Sequence, residues 1–255
     1  LLTGSDGFIG QHLYTHLKKL NHKVLKLDIK SGNDLMNCQL NYHVDLVIHL
    51  AGLSGVRDSL NNPTEYWKTN VIGTQRLFEN FKDVRIIYAS SSTAYEPWKN
   101  PYAMSKYSME QLEHNNCLGM RFTTVYGPGA RKDMLIPKIL RNDIQYLNVN
   151  HIRDFIHVDD VISAIDTVLH TDIKGVIDVG TGTTNKLIDI AEHFKIDYEN
   201  NSEFFTTDEK FSNLIKHMYK MTYNKKRFLQ KDKEMLKEEN GREKKKVRLT
   251  EKKIE

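Results

Sequence analysis

Cysteine is nearly missing from this chain. Its two cysteines in 255 residues, Cys38 and Cys117, stand far apart and without the spacing of a metal site. That excludes a disulfide framework and fits a reducing compartment, so a cytoplasmic protein is expected. Apolar residues make up 39% and the mean hydropathy is −0.55. No stretch approaches the roughly 18 consecutive apolar residues of a membrane span. No signal peptide is expected ahead of the first motif, and internal repeats are absent. Eleven histidines are scattered without metal-like pairing, so no metal is expected. Positive charge is also confined. Residues 201–255 hold 16 Lys/Arg and 10 Asp/Glu, a balance of +6, whereas residues 1–200 balance at −2. The basic character therefore belongs to the tail. Mixed Lys/Glu composition marks a solvated helix or a disordered end, not a nucleic-acid surface.

What the chain does have begins at once. Leu1-Leu2-Thr3-Gly4-Ser5-Asp6-Gly7-Phe8-Ile9-Gly10 carries three glycines, each three residues after the last, and Leu13, Leu17 and Leu20 follow at helical spacing. This reads as a strand end, a tight turn and a helix start. A helix N-terminus attracts phosphate, and glycines let the backbone approach a pyrophosphate closely. Leu1-Leu2 reads as the tail of a longer strand, so a few preceding residues are expected to be missing. The run 23–28 reads as a second strand ending in Asp28. An acid about twenty residues beyond the glycines is placed to hold the adenosine ribose hydroxyls. It would repel the extra phosphate of NADP and so argues for NAD. The other reading of Asp28 is an ordinary strand-end turn, and Lys30 nearby leaves NADP open.

Further on, strands and helices alternate. Asp45 to Gly52 reads as a buried parallel strand. Asn62-Pro63 opens a helix running to about Asn80. The strand 84–89 delivers Ser90-Ser91-Ser92-Thr93 at its carboxyl end, a helix spans about 101–115, and a strand follows over 118–122. The rhythm predicts an α/β fold, a Rossmann-like doubly wound parallel sheet. After Gly127-Pro128-Gly129 the pattern changes to a helix over 133–140, a short strand over 144–150 and an extended 153–158. A helix over 159–170 and a strand over 176–180 complete it. Expected domains are therefore a dinucleotide-binding domain over 1–126, to which 158–180 returns, and a small, reduced substrate lobe from 127–157 and 181–200. The remainder, 201–255, is expected to be a charged helical or disordered tail. Trp67 and Trp98 are expected as packing or loop anchors.

Tyr102 and Lys106 lie four residues apart on the predicted helix after the serines, hence on one face. A phenol near its usual pKa of about 10 is a poor base. A neighbouring ammonium stabilises the phenolate. Such a pair is commonplace alone. Its standing comes from the order of glycine turn, strand-end acid, serine cluster and then Tyr-x-x-x-Lys.

Taken together, these pieces resemble the extended short-chain dehydrogenase/reductase family, in its NAD-dependent nucleotide-sugar epimerase/dehydratase branch. The matching stretches are Thr3 to Gly10, His49 to Gly52, Gly55 to Pro63, Thr69 to Thr74, Ser90 to Ser92, Tyr102 to Lys106, Tyr126 to Gly129 and Arg153 to Asp160. They end near residue 182, and nothing from about 200 onward matches. The resemblance implies that Gly4, Gly7, Phe8, Ile9 and Gly10 hold the NAD pyrophosphate and Asp28 the ribose. Asp34 and Leu35 would flank the adenine, and Leu50, Ala51, Gly52 and Asn70 would line the cofactor. Tyr102 would be the base. Lys106 would hold the nicotinamide ribose and lower the tyrosine pKa. Ser91 would hydrogen-bond the reacting sugar oxygen, with Ser92 the runner-up. Arg153 would clamp the nucleotide diphosphate, and Thr124 stands where the family usually has Asn. A salt bridge to Asp154 or Asp159 is the other reading of Arg153.

The implied chemistry is an isomerase reaction: proton loss from the sugar C4 hydroxyl, hydride transfer to NAD, and return of the hydride to the other face of a 4-keto sugar. Family dehydratases place Asp-Glu just after the serine or threonine, and related decarboxylases keep a Glu. Here those positions are Ser92 and Thr93, which favours an epimerase. A reductase or dehydrogenase of the same fold and a non-catalytic NAD-binding protein are the alternatives. The loops after Ser91 and before Arg153 are short for the family. By family analogy, a homodimer would form through helices at about 63–80 and 102–116.

Overall fold

The computed structural model describes residues 1–113, 115–144, 146–148 and 150–196, with the backbone of 199–200. The expected tail, 201–255, lies outside the described residues.

β1 (Leu2–Thr3) runs into the glycine turn, and α1 (Phe8–Lys19) begins directly after it. Gly10, Leu13 and Leu17 form the buried stripe of α1. β2 (Lys26–Leu27) is shorter than the 23–28 run expected. Leu25 and Lys26 are exposed, and burial starts only at Leu27 and Asp28. β3 (Leu46–His49) leads to α2 (Val56–Asn61) and α3 (Pro63–Tyr66). A π-helical stretch over Trp67–Ile72 separates α3 from α4 (Gly73–Asn80). The single helix expected over 62–80 is thus interrupted. The wider turn coincides with Asn70, fully buried and aimed at the chain after β3. Such π turns are found often at functional sites.

β4 (Arg85–Ser91) is followed by α5 (Pro101–Gln111) and β5 (Cys117–Phe122). Asn100 caps α5, its side chain accepting from the Ala103 amide at 2.8 Å, and Pro101 takes the first helical position. The smaller elements come next. They are β6 (Thr124–Tyr126), α6 (Leu135–Leu140), β7 (Tyr146–Leu147), β8 (Ile152–Arg153) and β9 (Phe155–His157). α7 (Val158–Leu169) and β10 (Gly175–Val179) return to the main layer, followed by β11 (Asn185–Lys186), α8 (Leu187–His193) and β12 (Glu199–Asn200).

Six strands form one parallel sheet in the order β10-β5-β4-β3-β1-β2. The winding reverses between β1 and β3, which opens a crevice beyond their carboxyl ends. β6 pairs with β9, β8 with β11 and β7 with β12 in three small sheets.

Alternation along the strands makes a core on each face. Leu2, Leu13, Ile48, Ile87, Leu118 and Ile165 pack on one side. Leu27, Val47, Leu77, Ile86, Tyr88 and Met109 pack on the other. Each such burial stabilises the fold by about 1.5–3 kcal/mol. Trp67 and Trp98 do not join either core; they are 46% and 73% exposed, contrary to the packing role expected of them. Among the described residues, no helix is long and apolar enough to cross a membrane, and no group of three or more His, Cys, Asp or Glu could hold a metal.

Candidate active site at the carboxyl ends of the sheet

The glycine turn is built by close approach. Gly4 has φ +66°, and a Cβ there would lie 2.5 Å from the Ala51 nitrogen. A Cβ on Gly10 would lie 2.0 Å from the Gly4 carbonyl oxygen, so α1 can sit on the turn only with glycine there. The N-terminus of α1 has no side-chain cap and no acid in its first turn. An N-terminus of this kind, with its first-turn amides left uncapped, suits a pyrophosphate. Phe8 and Ile9 belong to this first turn and pack against the core.

Asp28 is buried at the end of β2. One carboxylate oxygen accepts from the Asp6 amide at 2.8 Å, the other from the Lys30 amide at 2.9 Å. Each oxygen keeps a second lone pair for a ribose hydroxyl. Asp34 is partly exposed; its carboxylate accepts from the Met36 amide and the Asn37 side chain, each at 2.9 Å. Leu35 does not stand beside it at the surface. Its side chain is a core residue against Gly73 of α4, because an apolar residue there gains more by joining Val47 and Leu77.

The loop after β3 is held from inside the protein. Asn70 accepts from the Leu53 amide at 2.7 Å and donates to the Leu53 carbonyl at 3.0 Å and to the Ser105 hydroxyl at 2.9 Å. That fixes Leu50, Ala51 and Gly52 against α5. Lys106 is buried; its ammonium donates to the Ala89 carbonyl at 2.9 Å and lies beside Gly52. Burial lowers its pKa to about 8, with Glu110 opposing the shift.

Tyr102, on the first turn of α5, packs edge-on against Tyr66 with ring centres 6.1 Å apart. Burial raises its pKa; a hydrogen bond with Ser91 and the charge of Arg131 act in the opposite direction. Ser91 accepts from the Thr93 hydroxyl at 3.0 Å and its amide at 3.3 Å, which leaves its own proton for the phenol oxygen. Ser92 opens the following turn, and Ser90 points away, donating to Glu110 at 2.5 Å. The charge of Arg131 lowers the phenol pKa, and the Lys106 ammonium, one turn along α5, donates to Ala89. Arg131 reaches across to donate to the Ser54 carbonyl at 2.7 Å, which also accepts from the Tyr66 hydroxyl at 3.0 Å.

Beneath these groups lies a charged bolt. Arg121 donates to Glu110 at 2.8 and 2.6 Å and lies over the Tyr95 ring at 4.2 Å, and the Tyr95 hydroxyl donates to Asp178 at 2.6 Å.

Arg153 donates to the Ile152 carbonyl at 2.9 Å and lies 3.2 Å from the His151 ring. Burial lowers its pKa. Neither Asp154 nor Asp159 pairs with it. Asp154 accepts from the Thr181 hydroxyl at 2.6 Å and the Gly182 amide at 2.8 Å, while Asp159 faces His157 at 3.5 Å. A guanidinium in this position without a carboxylate is suited to a phosphate. Thr124 donates its amide to the Asp154 carbonyl at 3.0 Å on the adjoining strand. Tyr66 and Arg131 carry no sequence signal of a role here, since they reach the site through contacts distant along the chain.

A parallel sheet of this order, with a glycine turn at its switch point and a Ser-Tyr-Lys group at the neighbouring strand end, defines a dinucleotide-dependent enzyme fold. The sequence profile of the NAD dependent epimerase/dehydratase family matches residues 1–180, and the chain belongs to that family. It is 30% identical over 250 residues to a putative UDP-glucose 4-epimerase of Methanocaldococcus jannaschii, covering 76% of this chain and 81% of the relative. It is 26% identical over 261 residues to a dTDP-D-glucose 4,6-dehydratase of Dictyostelium discoideum, covering 75% and 60%. Among solved structures, MoeE5 in complex with UDP-glucose and NAD is 30% identical with a TM-score of 0.68, covering 78% of this chain and 84% of MoeE5. The relatives thus include both a 4-epimerase and a dehydratase.

Proposed function

We propose that this chain binds NAD at the glycine turn and epimerises a nucleotide-diphosphate sugar at C4 through a transient 4-keto sugar. The nearness of Ser91 to the Tyr102 phenol, which lowers the phenol pKa, carries the reading, because it brings two hydroxyls together where a sugar oxygen can be gripped and deprotonated. The crowding at Gly4 and Gly10, the uncapped end of α1 and the buried Asp28 fit a dinucleotide. Bound NAD supplies a reversible two-electron acceptor at the sugar C4. Tyr102 takes the C4 hydroxyl proton and Ser91 steadies the same oxygen. Lys106, held by Ala89, turns its remaining donors to the nicotinamide ribose. Arg153 receives the diphosphate, and Ser92 and Thr124 border the sugar.

No carboxylate follows Ser91, so nothing at Ser92 or Thr93 can drive the elimination that a dehydratase needs. Trp67 and Ile72 before α4 and Met104 and Tyr107 on α5 are exposed apolar side chains, which supports a homodimer through the 63–80 and 102–116 stretches. The test is incubation of the purified chain with UDP-, GDP- and dTDP-sugars, with products separated by chromatography. Interconversion of C4 epimers without net change in NAD is expected, and its loss in Tyr102→Phe. Net consumption of NAD(H) would assign a reductase or dehydrogenase instead. Unchanged conversion by Tyr102→Phe would remove the catalytic assignment.

A further inference from the structure

The adenosine end of the crevice holds an arrangement that Asp28 alone does not explain. Two lysines and a serine converge there. Lys26 comes from β2, and Lys30 and Ser31 from the turn that follows. All three are engaged by one residue of the glycine turn. The Asp6 carboxylate pairs with Lys26 and accepts from the Ser31 hydroxyl, and the Asp6 carbonyl accepts from the Lys30 ammonium at 3.0 Å. Asp6 is tied in place by its own amide, which donates to Asp28 at 2.8 Å. The Lys26 ammonium also lies over the Tyr14 ring at 5.0 Å.

Two carboxylates and two ammonium groups therefore meet at this end and cancel. Donors that suit a phosphate are present, but the carboxylate of Asp6 already occupies two of them. We propose that Asp6 is a specificity-determining residue that masks a latent 2′-phosphate site and so restricts the cofactor to an unphosphorylated adenosine ribose. The inference rests on the NAD reading above and names a residue that acts beside Asp28. A 2′-phosphate arriving here would meet two negative charges and find Lys26 and Ser31 taken. With the Asp6 charge removed, the cluster carries a surplus positive charge, and the ammonium and hydroxyl are free to grip a dianion. The turn itself survives, because the bond to Asp28 comes from the Asp6 backbone.

The test is isothermal titration of the full chain with NAD, NADP and adenosine 2′,5′-bisphosphate. The wild type should prefer NAD, and Asp6→Ala should shift the affinity ratio toward NADP by about tenfold or more. Adding Lys26→Gln to Asp6→Ala should reverse most of that shift. Should the alanine variant bind neither dinucleotide, the isosteric Asp6→Asn decides by the same ratio. A variant that binds NAD as the wild type does, with the ratio unchanged, overturns the proposal and leaves the NAD reading standing. A wild-type chain that binds none of the three ligands overturns both.

Discussion

His49 ties the stability of the cofactor loop to pH. Its ring is fully buried at the end of β3, one nitrogen 2.7 Å from the Thr3 hydroxyl and the other 2.9 Å from the Thr74 hydroxyl. Burial, and then the charge of Lys106, lower its pKa from 6.5 to about 3. Between those values the unfolded chain holds a proton on this residue and the folded chain does not. His49 therefore favours the folded state fully above the unfolded pKa, and the advantage is lost as pH falls from 6.5 toward 3. At about 1.36 kcal/mol per pH unit for one proton, acidification from pH 7 to about pH 5 costs roughly 2 kcal/mol through this ring. His49→Asn removes the titration and keeps a donor and an acceptor, although the variant starts less stable. Urea unfolding followed by circular dichroism at several pH values measures both proteins. The two proteins differ only at this ring, so the difference in slope isolates His49. Stability curves that run parallel from pH 7 to about pH 5 would refute a buried neutral ring.

Tyr102→Phe should lower turnover by about 10²–10⁴-fold, read in the epimerisation assay, as loss of a general base does. Activity that needs the phenolate rises with pH. Arg131→Gln and Ser91→Ala each remove an influence that lowers the Tyr102 pKa, so each should move the rising limb of kcat/KM to higher pH. A limb that stays in place in both variants would separate Arg131 and Ser91 from the phenol. Gly10→Ala should abolish NAD binding in titration calorimetry, because its Cβ would overlap the Gly4 carbonyl. Glu110→Ala removes the two close hydrogen bonds of Arg121 and leaves it only Asp178 at 4.0 Å, and should cost up to about 3 kcal/mol in urea unfolding.

The sheet and the glycine turn were legible because they depend on local pattern. Apolar runs such as Asp45 to Gly52 encode buried strands, and glycine spacing encodes the approach of α1. The π turn at Trp67–Ile72 was not legible, since its helical periodicity looks continuous and the Leu53–Asn70 hydrogen bond that coincides with it joins residues 17 apart. The place of the Leu35 side chain in the core was not legible either, since no apolar period marks that stretch. Arg131 reaches Ser54, 77 residues away in the chain, and no spacing rule brings those two together. Trp67 and Trp98 were expected as packing or loop anchors, and neither joins a core cluster. For Arg153, sequence left a diphosphate clamp and a local salt bridge open. The structure leaves its guanidinium without a carboxylate among the described residues.

Ser90, Glu110, Arg121, Tyr95 and Asp178 join the ends of β4, β5 and β10 to α5. The floor on which Tyr102 and Lys106 stand is consequently stiff, while the segments beyond Gly127 are short strands and loops. Natural variation can rebuild those segments without loosening the floor, much as a lathe accepts new jaws on an unchanged spindle.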